Sequence, residues 1–87
     1  MKLADAMNTY NPALAVITKK GYKIWIEPSD NDEELGDWCA RKEDDSFVAS
    51  DPLRLLALIS LWEELGESWN TGNENLYDKL LEEAFDE

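Results

Sequence analysis

The sequence predicts an α+β domain, a small three-stranded antiparallel meander with helices packed on one face in the order α-β-β-β-α-α. Three observations carry this. Alternating apolar and polar residues run through GYKIWIEP and GDWCARK. A long apolar stretch, DPLRLLALISLWEELG, opens on Asp-Pro and closes on Gly. The 87 residues suffice for one domain, 1–87, with 1–10 as a loose N-terminal segment.

Along the chain, KLADAMNT offers one loose helical turn. In NPALAVITKKG, Asn11 suits an N-cap, Pro12 the first helical position, Lys19 and Lys20 the last turn and Gly21 the stop. Ala13, Leu14 and Ile17 then share a face. The rival reading, LAVIT as a strand turning through KKG, stays open over 13–20, although the caps favour helix. In GYKIWIEP, Tyr22, Ile24 and Ile26 point one way and Lys23, Trp25 and Glu27 the other. PSDNDEELG reads as an acidic loop. The second strand, GDWCARK, sets Trp38, Ala40 and Lys42 against Asp37, Cys39 and Arg41; EDDS turns the chain into a third strand, FVAS. Asp51 caps the central helix, Pro52 starts it and Gly66 follows its end. Leu55, Leu58, Ile59, Trp62 and Leu65 form its stripe, which Leu53, Leu56 and Leu61 widen, so the helix is expected to pack on two sides as the spine of the core. The last helix, from about Asn73 to Phe85, is amphipathic through Leu76, Tyr77, Leu80, Leu81, Ala84 and Phe85.

Gly21, Tyr22, Phe47, Ala49, Asp51, Pro52, Leu53, Leu55, Leu56, Leu58, Gly66 and Trp69 stand in a familiar arrangement. It resembles small bacterial α+β proteins in which a G-Y-x-h-x-h strand (h apolar) leads through a hairpin to F-x-A-x-D/N-P-L-x-L-L-x-L and a G-x-x-W ending. The resemblance covers roughly residues 12–69. It implies the fold and no activity.

Charge narrows the function classes. The net charge is −12 and histidine is absent. Residues 1–42 hold seven acids against six bases, whereas 43–87 hold thirteen against Arg54 and Lys79. Such a surface repels nucleic acid and anionic membrane and attracts basic proteins or cations, although the same charge also keeps a small domain in solution. The most apolar window, LRLLALISLW, is far too short for a membrane span. The N-terminus has no apolar run of signal-peptide length, and Cys39 has no internal disulfide partner, so a cytoplasmic protein is expected.

Chemistry-bearing patterns are few, and neither cofactor nor metal is expected. Asp30, Asp32 and Glu34 have the spacing of the first calcium-loop ligands, but Leu35 stands where glycine is needed and Arg41 where the bidentate Glu belongs. One Cys without His cannot build a zinc site. Without histidine, Cys39 and the serines lack the usual general base, so the chain is read as a non-enzyme.

Two surfaces remain. On the final helix Glu74, Asp78, Glu82 and Asp86 lie four residues apart, a row about 6 Å in period. Glu83 with Glu87, and Glu63 with Glu67, repeat the spacing, and Glu64 lies beside them. Like-charge i,i+4 pairs cost about 0.2–0.5 kcal/mol each, and a regular row of carboxylates imitates phosphates to a Lys/Arg groove. The expected role is therefore an acidic protein that binds a basic protein partner as inhibitor, decoy or immunity-type protein. The acids are equally an ordinary solvated face. The second surface is the far side of the sheet, where Trp25 lies among Lys23, Glu27 and Arg41 and would serve an adaptor or a homodimer. Residues 1–10 or a second copy could equally cover it, so the chain is read as monomer or homodimer.

Overall fold

A computed structural model describes residues 1–28, 36–70 and 75–85. The fold is α+β: α1 (Tyr10–Lys19), β1 (Lys23–Glu27), β2 (Asp37–Lys42), β3 (Asp45–Ala49), α2 (Pro52–Leu65) and α3 (Leu76–Phe85). The strands form one antiparallel sheet in the order β1-β2-β3. Single turns of 3-10 helix precede α1, at Met7–Thr9, and follow α2, at Gly66–Ser68.

Residues 13–20 lie in or at the end of a helix, which decides against the strand reading. The helix begins earlier than its capping residues suggested: Thr9 is the cap position, and Asn11 and Pro12 fall inside the first turn. The preceding 3-10 turn leads directly into α1, so no side-chain cap is made. Its C-terminus follows the Gly21 expectation. Gly21 adopts φ +94°, its N–H donates to the Thr18 carbonyl at 2.9 Å, and the Tyr22 N–H donates to that of Ile17 at 3.3 Å. This pair of bonds is a Schellman motif, and its usual apolar contact is supplied by Tyr22 and Ile17, both in the core.

The hairpin between β2 and β3 is tighter than EDDS implied. Asp45 and Ser46 already belong to β3, and only Glu43 and Asp44 turn the chain. Glu43 makes this possible by taking φ +57° while its carbonyl accepts a bond from Arg41 Nε at 3.0 Å.

In the registered sheet Ala40 lies between Ile24 and Phe47, and Trp38 between Ile26 and Ala49. This inner face meets α1 and α2 in a core of Ile17, Tyr22, Ala40, Leu55 and Ile59, with Ile24, Trp38, Phe47, Ala49 and Leu56 packed around it. Tyr22 meets Phe47 edge-on at 5.8 Å between ring centroids. α2 packs on α1 to one side and on β2 and β3 to the other. It starts as expected, the Arg54 N–H donating to the Asp51 carboxylate at 2.8 Å.

α2 packs on two sides as expected, but two expectations need correction. Leu58, Leu61 and Leu65, assigned to its apolar stripe, are exposed. More consequentially, α3 does not join the helices on the sheet: every described residue from Asn75 to Phe85 is exposed. The sheet is only five or six residues deep, and α1 and α2 already occupy its inner face.

Gly36 gives a direct test of the entry into β2. Its φ is +101°, and a Cβ there would lie 2.0 Å from the Glu27 carbonyl oxygen. Gly36→Ala should cost about 2 kcal/mol or more in urea unfolding. Gly66→Ala should cost less, because only its φ of +57° resists a side chain and no atom lies within 4 Å.

Candidate protein-binding surfaces

The acids of the second half separate into two groups. Glu63, Glu64 and Glu67 lie at the C-terminal end of α2 and in the turn after it. Glu63 is engaged, accepting a bond from Lys20 Nζ at 2.7 Å. That bond, followed by the opposite charge itself, raises the Lys20 pKa. Glu64 and Glu67 are exposed and share no ion pair with another described residue.

α3 carries the second group. Asn75 caps it: its Oδ1 accepts from the Asp78 N–H at 3.4 Å, and its Nδ2 donates to the Asp78 carboxylate at 2.8 Å. At 100° per residue, Leu76, Leu80, Ala84, Tyr77, Leu81 and Phe85 sweep out one half of the helix surface. Asp78 and Glu82 lie on the other half, with Lys79 and Glu83 on its flank. Leu80 is 60% exposed and Phe85 79%, so the apolar half is as open to a partner as the acidic half. Of the acidic row, Glu74 and Asp86 lie outside the described residues, as do Asp30, Asp32 and Glu34 of the acidic loop.

A hollow of about 500 Å³ opens beside β3, between it and α2. Phe47, Val48, Leu58, Leu61 and Trp69 line it, with Asp44 and Asp45 at one end. The Asp45 carboxylate accepts from Trp62 Nε1 at 3.1 Å, which fixes that rim. Sequence reasoning missed this feature because it assigned the α2 leucines to the core; the excess width of the apolar stripe was the available signal.

The far face of the sheet brings the other group together. Lys23 pairs with Arg41 and Glu27 with Asp37, while Trp25 pairs with Cys39 and Cys39 with Val48. Trp25 is half-buried, and the four charged residues are exposed. Residues 2–5 do not cover this face: they border a hollow with Pro12, Val16, Leu53 and Leu56, on the helical side. Cys39 is buried, at 2% exposure. That burial pushes its thiol up, with Glu27 and Asp37 adding to the effect.

Alkaline pH offers a separate check on the inner face. The Lys20 pKa is raised by Glu63, and that of Tyr22 is raised by burial first and then by Glu63 and Asp45. Both groups hold their protons more tightly in the fold than in the unfolded chain. Their contributions are complete below their ordinary values and fade as pH rises through the raised ones. The melting temperature should fall above about pH 10, and Lys20→Met with Tyr22→Phe should flatten that fall. A fall that begins near neutrality, or one the double variant leaves unchanged, would contradict this.

Among the described residues no three His, Cys, Asp or Glu side chains are grouped to hold a metal ion, and no helix is long and apolar enough to cross a membrane. Comparison with protein-family models, curated proteins and solved structures finds no match for this chain.

Proposed function

We propose that this chain is a non-enzymatic acidic protein that engages a basic protein partner, as an inhibitor, decoy or immunity-type protein, through α3 and the acidic end of α2. The observation that carries the reading is the exposure of α3 on both of its halves. A helix with an open apolar half and Asp78 and Glu82 behind it fits an apolar groove rimmed by Lys and Arg. The apolar half supplies affinity, and the charge supplies steering and selectivity. The excess of thirteen acids over two bases in residues 43–87 points the same way.

The reading is tested by capture from a native lysate at low and moderate salt, with the unchanged chain, Asp78→Lys/Glu82→Lys and Leu80→Ser/Leu81→Ser as baits. Support consists of a basic protein retained at low salt by the unchanged chain and lost from both variants. The same protein retained by all three baits would remove the proposal.

A further inference from the structure

The geometry points to a second interaction surface, the outer face of the sheet, as the seat of a weak homodimer. Its chemistry is self-complementary in one arrangement only. Along the strands this face has three rows: Lys23 and Arg41 with Ser46 beside them, then Trp25, Cys39 and Val48, then Glu27 and Asp37. The first row is basic, the second apolar and the third acidic. Glu43 of the hairpin turn lies beyond the basic row and borders a hollow with Lys23, Trp25 and Arg41.

Two copies meeting face to face are related by a twofold axis lying in the plane between them. If that axis runs across the strands along the apolar row, Lys23 faces the partner's Glu27 and Arg41 faces the partner's Asp37. Trp25 and Val48 then meet their own counterparts. If the axis instead runs along the strands, Arg41 faces the partner's Arg41 and Asp37 the partner's Asp37, which is repulsive. The charge pattern thus selects the occupant, a second copy, and also its orientation.

The extent of the face sets the strength. Strands of five residues, spaced as in any sheet, give a patch of roughly 17 by 14 Å. That is well short of the ~800 Å² per partner of a standard stable interface. A reversible dimer with a dissociation constant on the order of 100 µM is expected. Physiological salt should favour it, since a Debye length of about 8 Å screens the −12 charge of each whole copy more than it screens ion pairs in contact. The surface lies opposite α1 and α2 and needs neither α3 nor a foreign partner, so it stands or falls apart from the function proposed above.

Sedimentation of the purified chain from about 10 µM to 1 mM, a range bracketing that constant, tests the inference. The weight-average mass should rise from 10.0 kDa toward twice that value. Lys23→Glu/Arg41→Glu and Glu27→Lys/Asp37→Lys change only exposed side chains. Each variant alone should dissociate at least ~10-fold more readily, and an equimolar mixture of the two should associate. Orientation is read in a Cys39→Ser background. Lys23→Cys/Glu27→Cys should cross-link between copies, whereas Lys23→Cys alone should not. A chain that stays monomeric throughout, or a dimer indifferent to the charge variants, would overturn the inference. So would a dimer abolished by Leu80→Ser/Leu81→Ser in place of them, which would make α3 the contact.

Discussion

Leu55→Ala is expected to lower the unfolding free energy by about 3–5 kcal/mol. Leu55 has no exposed surface and sits with Ile17, Tyr22, Ala40 and Ile59 where α1, α2 and the sheet converge. Truncation there removes roughly 2 kcal/mol of apolar burial and leaves a cavity that short elements, fixed by capping bonds at Gly21 and Asp51, cannot readily close. A domain of this size has only about 5–10 kcal/mol to lose, so the variant should unfold at markedly lower urea. Leu61→Ala, six residues on in the same helix and 48% exposed, should cost under about 1 kcal/mol. Equal costs, measured by circular dichroism in urea, would mean that the core has been located wrongly.

The second large effect concerns binding. Asp78→Lys/Glu82→Lys reverses the open acidic half of α3 and should weaken capture of a basic partner by more than about tenfold at low salt. The melting temperature should stay within a degree or two, because these side chains touch no core residue and are exposed. Leu80→Ser/Leu81→Ser should weaken capture at every salt concentration. The two responses separate a charge that steers from an apolar stripe that holds. If the charge variant lost binding and the serine variant did not, the partner would be reading carboxylates alone.

Much of this fold was legible because local rules and tertiary packing agreed. Gly21, Asp51, Pro52 and Gly66 punctuate the helices as backbone chemistry requires, and the alternation in β1 and β2 gives the correct inner and outer faces. The start of α1 was misplaced because a preceding 3-10 turn can substitute for a side-chain cap, and sequence carries little sign of it. The EDDS hairpin was read too long because a two-residue turn demands a positive φ, which Glu43 adopts without being glycine. Contacts distant in sequence were invisible, among them Lys20 with Glu63 and Asp45 with Trp62. Amphipathicity located α3 but not its surroundings. Periodicity reports that a helix has an apolar half, and whether that half meets the chain's own core depends on the area left after α1 and α2 have packed. The outer sheet face was anticipated as a group of Lys23, Trp25, Glu27 and Arg41; its division into basic, apolar and acidic rows required the register.

Deletion of residues 71–87 tests the central claim, that α3 serves a partner rather than the fold. The shortened chain should unfold cooperatively at a melting temperature close to that of the full chain and should no longer capture a basic protein at low salt. A chain that loses its cooperative transition on this deletion would place α3 in the stabilising core, and one that still captures the same protein would place the binding surface elsewhere.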